Sequence, residues 1–259
     1  EKELNFYKSK GYIILKKFFP KNKILYSKKE INRIIKDKNN GTHFYYENIG
    51  GRKVMRRIEK ITEYSKHIKR ILGDRKLKFI LKQVSTKKSY LFKDKLNFKY
   101  PGAGGFDPHI DGHFYWTSKD NKLKKGWKEY SNSFTNVVIA LEKSNIKNGC
   151  IYVSNKENVY KVLGKTWEEI SKKIEKFTPK IKKKYLKKIK FKPMVLNVGD
   201  VMLFDWKVPH YSRKNNSNSS RMIFYATFLN SNIYQKNLRK KYYLDKDKSK
   251  NPLKNKSLI

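Results

Sequence analysis

The chain has 259 residues, enough to bury a sizeable core, and an aromatic content of 14%, too high for a disordered polymer. Sixty-three Lys and Arg against 22 Asp and Glu give a formal charge of +41. Only nine of the cations are Arg, and the Lys are spread evenly among many Asn and Ile. This fits an A/T-rich coding sequence better than a nucleic-acid reader, which favours the bidentate fork of Arg.

The first residues, EKELNFYKSKGYIIL, show neither a basic-then-apolar leader nor a small-residue cleavage site. No run approaches the roughly 18 apolar residues that span a bilayer. A lone cysteine, Cys150, excludes an internal disulfide, and a reducing, cytoplasmic setting is expected. From Leu4 to Phe19 an amphipathic helix is expected to run into a strand, followed by a Lys-rich helix through SKKEINRIIKDK with Ser27 as its cap. GTHFYYENIGGRKVMRRIEKI reads as a hairpin about Gly50 and Gly51, and EYSKHIKRILGDRKLKFILKQV as helix with a break at Gly73. His43 and His67 lie in these parts without an acid or second His at ligand spacing, and are expected to be surface or satisfied histidines.

Past Ser89 the texture changes. SYLFKDKLNFKY, FTNVVIALE, GCIYVS, PMVLNVGDVMLFDW and SRMIFYATFL are short, β-branched and aromatic, parted by Gly, Pro, Asn or Asp. They predict an antiparallel β domain over residues 1–235, with a helical insertion at about 156–190 broken near Pro179. Residues 236–259 are expected to form a loosely held basic tail.

DPHIDGHFYW carries the chemistry. In an extended strand His109 and Asp111 share one face while Ile110 turns into the sheet. A third ligand is available at His210, after a proline at the end of the apolar strand in GDVMLFDWKVPHYS. Two histidines and a carboxylate form the facial triad of non-haem Fe(II) oxygenases, which leaves three positions open for a cosubstrate and oxygen. Arg221 stands 11 residues later on the next apolar strand, where a buried guanidinium needs an anion and a dicarboxylate cosubstrate supplies one. If the strand continued through Gly112, His113 would share the ligand face, as a neighbour of the triad more than a fourth ligand. Phe114, Tyr115 and Trp116 are expected in the core, and Asn136, inward in FTNVV, either contacts cosubstrate or substrate or satisfies a buried backbone group.

The ordered set KLNFKYPG, HIDGHFYW, VVIALEKSNIKNGCIYVS, GDVMLFDWKVPHYS and SRMIFYATF resembles the phytanoyl-CoA dioxygenase family, over most of the chain to about Asn230. The resemblance implies a double-stranded β-helix, or jelly roll, mainly β with flanking helices. It implies His109, Asp111 and His210 as iron ligands and Arg221 as the anchor of the 2-oxoglutarate carboxylate. Ser212 matches a position assisting that carboxylate, Trp127 an aromatic wall beside it, and Lys99 a further pocket residue. The implied cofactors are Fe(II), 2-oxoglutarate and O2, and the implied reaction is hydroxylation of a small organic substrate with release of succinate and CO2. The acid at Asp111 favours hydroxylation over halogenation, where a small residue admits halide. One departure stands out: NGCIYVSNKEN lacks the family's Pro-Gly-Ser-His continuation.

Two other readings remain open at this stage. The same chemistry could act on nucleic acid or protein docked through the basic surface, or the fold could be a non-catalytic jelly-roll module with structural zinc. The Lys surplus is compatible with an anionic substrate such as a carboxylate, phosphonate or CoA thioester. Oligomeric state is not encoded in any feature found.

Overall fold

The computed structural model describes residues 1–37, 43–171, 179–232 and 237–248. Its helices are α1 (Lys2–Lys10), α2 (Lys21–Lys36), α3 (Lys66–Leu72), α4 (Arg75–Ser85), α5 (Lys156–Leu163), α6 (Trp167–Ile170), α7 (Lys183–Leu186) and α8 (Leu238–Lys248). The first strands are β1 (Tyr12–Leu15), β2 (Phe44–Ile49), β3 (Arg52–Glu59), β4 (Lys88–Lys99), β5 (Phe106–His109), β6 (Trp116–Thr117) and β7 (Leu123–Lys124). They are followed by β8 (Phe134–Ala140), β9 (Ile151–Val153), β10 (Lys192–Met194), β11 (Val201–Asp205), β12 (His210–Ser212) and β13 (Arg221–Ser231).

Two antiparallel sheets result. The larger has the order β1-β11-β8-β13-β4-β3-β2 and the smaller β10-β9-β12-β5, with β6 and β7 as a separate ribbon. Period-2 alternation splits the larger sheet's side chains between two cores. Val137, Ile139, Leu203, Leu96 and Phe224 face outward onto Ile24, Ile31 and Ile34 of α2, Ile68 and Ile71 of α3, and Leu77 and Leu81 of α4. Val138, Ala140, Met202, Phe204 and Ile223 face inward onto Ile151, Val153 and Met194 of the smaller sheet. β8 is therefore buried along its whole length. This is the two-sheet jelly roll of the sequence expectation, without a closed barrel. Among the described residues no helix is long and apolar enough to cross a membrane.

Three local expectations are corrected. α2 starts after Pro20, so Ser27 lies within it, its hydroxyl bonding back to the Lys23 carbonyl at 3.1 Å instead of capping. The predicted insertion helix is several short ones. α6 begins with a capping box of Thr166 and Glu169, and Trp167 and Ile170 pack with Val159, Ile181 and Ile189 around Ile110, while residues 172–178 lie outside the described residues. The expected loose tail is helical over α8: Tyr242 and Tyr243 enter an aromatic cluster with Phe92, Trp127 and Phe134, and Lys246 is buried. Aromatic area hidden in a Lys-rich sequence gives the helix its hold, since a solvated arm would leave both rings exposed. Residues 249–259 of that tail lie outside the described residues.

Candidate metal centre and its cavity

The mouth between the sheets brings together what the sequence separates by a hundred residues. β12 pairs antiparallel with β5, setting His210 opposite His109, with ring centroids 4.1 Å apart. β5 ends at His109, and Asp111 sits in the turn that follows. Ile110 between them is fully buried in the insertion's apolar cluster, which fixes the direction of both neighbours. His109 Nε2 lies 3.7 Å from Asp111 Oδ1, and His210 Nε2 lies 3.7 Å from Asp111 Oδ2. One ligand atom from each of the three lies within 4.8 Å of the others.

The tautomers are determined by the backbone. His109 Nδ1–H donates to the Asp107 carbonyl at 2.6 Å and His210 Nδ1–H to the Val208 carbonyl at 3.0 Å. A carbonyl only accepts, so both Nε2 atoms present lone pairs to the space beside Asp111. Burial, then His210, pushes the His109 ring down to about 3, and burial pushes His210 down against the pull of Asp111. Burial would raise the Asp111 carboxyl, but His210, His109, Lys95 and Lys93 outweigh it and leave it below its ordinary value. Two neutral imidazoles and one carboxylate are a donor set suited to Fe(II).

Asn136 on β8 supports this set. Its Nδ2 donates to Asp111 Oδ2 at 2.9 Å while Thr227 Oγ1 on β13 donates to its Oδ1 at 2.7 Å. The sequence reading offered Asn136 to cosubstrate, substrate or backbone; the structure gives its amide to Asp111 and Thr227. Gly112 turns the chain at φ +73°, where a Cβ would lie 2.9 Å from that of Trp127. That turn ends the strand, so His113 is carried off the ligand face and stacks on Trp206 at 5.0 Å. The condition that would have placed His113 on the ligand face, a strand running on through Gly112, is not met, since β5 stops at His109. Trp127 lines the cavity beside Phe114 and Tyr242. Phe114 and Trp116 are in the core, as expected, with Tyr115 half-buried. His43 stacks on Tyr243, and His67 on Tyr26, both away from the triad.

A second cluster adjoins the triad through β12. Arg221 opens β13 opposite Lys99 at the end of β4. Lys99 Nζ donates to Ser212 Oγ at 2.8 Å, to the Arg213 carbonyl at 2.6 Å and to the Gly149 carbonyl at 3.2 Å. Arg221 Nη1 donates to the same Gly149 carbonyl at 2.8 Å. Gly149 is required there: φ is +75°, and a Cβ would lie 2.4 Å from the Arg213 carbonyl oxygen. Arg221 is 1% exposed, its Nε has no hydrogen-bond partner, and among the described residues no carboxylate lies within ion-pair distance of it. Burial and then Arg221 push the Lys99 ammonium down to about 5. The buried Arg221 guanidinium, sharing one carbonyl with the Lys99 nitrogen, forms a place for an anion, and the distal carboxylate of a dicarboxylate fits it.

Residues that sequence reading missed complete the cavity. Arg57, Lys93, Lys95, Asn97, Tyr225 and Lys246 line it together with the triad. Three of them share one partner, the fully buried Glu59, with Lys246 Nζ at 2.6 Å and Arg57 and Lys93 each at 3.5 Å. The signal for Lys93 and Lys95 was legible, because with Lys99 they share one strand face at even spacing in KDKLNFK. Arg57 and Lys246 carried no such signal, since nothing local says that a hairpin and the tail meet over β4. A wider groove bounded by Leu72, Leu91, Leu238 and Leu244 also borders α8 and holds no part of the triad.

The chain is similar to known oxygenases. The chain is 28% identical over 196 residues to the 2-aminoethylphosphonate dioxygenase of uncultured bacterium HF130_AEPn_1, covering 76% of this chain and 66% of that protein. It is 24% identical over 193 residues to the methylphosphonate hydroxylase of Gimesia maris, covering 74% and 65%. The chain thus spans about two thirds of the length of these relatives. Among solved structures, EctD from S. alaskensis with 2-oxoglutarate and 5-hydroxyectoine superposes with a TM-score of 0.67 at 14% identity, over 88% of this chain and 75% of that one. The phytanoyl-CoA dioxygenase (PhyH) family matches residues 7–223, and the chain belongs to it.

Proposed function

We propose that this protein is an Fe(II)- and 2-oxoglutarate-dependent dioxygenase that hydroxylates a small organic acid, releasing succinate and CO2. The observation that carries the reading is the convergence of His109 Nε2, Asp111 and His210 Nε2, with tautomers fixed by carbonyls, beside a buried guanidinium at Arg221 that lacks a carboxylate. His109, Asp111 and His210 would hold the metal. When bound, Fe(II) with 2-oxoglutarate and O2 supplies the oxidising chemistry.

The chain's own part is to position and to exclude. Arg221 receives the distal carboxylate of 2-oxoglutarate, and Lys99 and Ser212 hold the wall against which it lies. Asn136 and Thr227 keep the Asp111 carboxylate in one orientation. Phe114, Trp127 and Tyr242 keep water from the rest of the cavity. An acidic substrate is supported by the excess of cations over carboxylates in and behind the walls, Arg57, Lys93, Lys95 and Lys246 against Asp111 and the buried Glu59. Phosphonates are the acids named for two relatives, and a phosphonate of that size is the first class to screen.

The test is anaerobic. The Fe(II)-loaded protein with 2-oxoglutarate should show the weak visible charge-transfer band of the chelate, lost in His210→Ala and weakened in Arg221→Ala. Absence of the band in folded, iron-loaded protein overturns the assignment.

A further inference from the structure

β4 sends alternate side chains into the cavity in two-residue steps of about 6.8 Å. Beyond Lys99, which pairs with Arg221 at the strand end, these are Asn97, Lys95 and Lys93. Each but one is already committed. Lys99 has three oxygen acceptors, the Asn97 side-chain oxygen accepts from Arg57 Nε at 3.1 Å, and Lys93 is ion-paired with Glu59. Among the described residues, Lys95 has neither a hydrogen-bond acceptor nor a carboxylate in reach. Its Nζ lies over the face of Tyr225, 5.2 Å from the ring centroid.

Holding an ammonium in a half-buried position without an acceptor is costly, and a cation–π contact offsets only about 0.5–2 kcal/mol of the cost. A methionine would fill the same volume without the penalty. Such a local loss is what a binding site looks like before its ligand arrives. Lys95 is also placed for it, since it lines the same cavity as His109, Asp111 and His210. A group held by Lys95 therefore stands next to the metal ligands, on the β4 side and separate from the Arg221 anchor.

We infer that Lys95 is the residue that binds the oxyanion head of the substrate, a phosphonate or carboxylate, and so orients the carbon to be oxidised toward the His109, Asp111 and His210 group. The inference rests on the oxygenase reading and makes it specific. Lys93 and Arg57, tied to Glu59, add positive potential behind Lys95 without giving up their own partner. Burial, then Arg57 and Lys93, pushes the Lys95 ammonium down to about 7, so an arriving oxyanion also restores its full charge.

Calorimetry under argon separates this from the oxygenase reading. A titration of 2-oxoglutarate into the Fe(II)-loaded protein tests the cosubstrate site by itself. Methylphosphonate and acetate, each titrated into the 2-oxoglutarate-saturated protein, then test Lys95 and distinguish the two kinds of head. The expected result is saturable binding of one of these probes, weakened at least tenfold in Lys95→Met, with 2-oxoglutarate affinity within threefold of the parent. The ligand-free Lys95→Met protein should melt no lower than the parent, which a merely structural lysine would not allow, and Lys95→Arg should retain part of the binding. The inference is overturned if neither probe binds the parent, if Lys95→Met binds them as tightly as the parent, or if it loses 2-oxoglutarate in equal proportion. Absence of 2-oxoglutarate binding in the parent defeats the oxygenase reading first.

Discussion

Replacing Asn136 by Leu removes the donor that fixes Asp111 while keeping volume. The amide is held at both ends, Thr227 Oγ1 to Oδ1 at 2.7 Å and Nδ2 to Asp111 Oδ2 at 2.9 Å, so its orientation is determined and the carboxylate is confined to one rotamer. A hydrogen bond to a buried charge contributes about 1.5–3 kcal/mol, and loss of a residue that orients a metal ligand typically lowers affinity by about 10–100-fold. The two figures agree, since each tenfold is about 1.4 kcal/mol. Asn136→Leu should therefore bind Mn(II), an iron surrogate read by electron paramagnetic resonance, about 10–100-fold more weakly than the parent, with the protein still folded by circular dichroism. Thr227→Val should show a smaller loss of the same sign, because nothing then decides which end of the amide faces Asp111. Mn(II) affinity within twofold of the parent in Asn136→Leu would refute the orienting role and leave Asn136 as packing.

Other perturbations follow from the same contacts. Glu59→Gln leaves Lys246, Lys93 and Arg57 without their shared carboxylate, and such uncompensated burial costs about 3–5 kcal/mol. A calorimetric melt should fall by about 6–20 °C for a chain this long, and an unchanged melt would refute the buried cluster. Gly149→Ala must move the carbonyl that receives both Lys99 and Arg221, so the affinity for 2-oxoglutarate should drop more than tenfold, measured by titration of the charge-transfer band. Lys95 is depressed in the folded protein to about 7 from 10.5, so above pH 7 the folded state holds fewer protons than the unfolded one and ligand-free stability rises with pH up to about 10. The slope from this group reaches about 1.4 kcal/mol per pH unit and should vanish in Lys95→Met, as followed by urea midpoints at pH 7, 8 and 9. Trp167→Ala, in the apolar cluster around Ile110, should cost about 3–5 kcal/mol and loosen Ile110 between His109 and Asp111, weakening Mn(II) binding as well.

The sequence by itself determined the antiparallel β architecture and the residues of the triad. Period-2 apolar runs parted by turn residues leave few alternatives, and His109 and Asp111 are neighbours whose backbone connection limits their separation. His210 and Arg221 were legible because each stands in a run apolar enough to be buried, where a polar group calls for a partner. Tertiary structure decided what local patterning does not carry. Whether β5 stops at His109 depends on Trp127 pressing against Gly112, and this sends His113 to Trp206 instead of the ligand face. Whether the Lys-rich tail packs depends on the aromatic cluster that receives Tyr242 and Tyr243, residues distributed along the chain from Phe92 to Trp206. The electrostatics of the cavity belong to the fold most of all. Arg57, Glu59 and Lys246 come from two elements up to 189 residues apart, and each looked like one more surface charge until β3 and α8 met at the cavity that Lys93 and Lys95 of β4 line. Burial converts a charge from a solvated ornament into a binding group, and burial is a property of the assembled layers, not of the residue's neighbours in sequence.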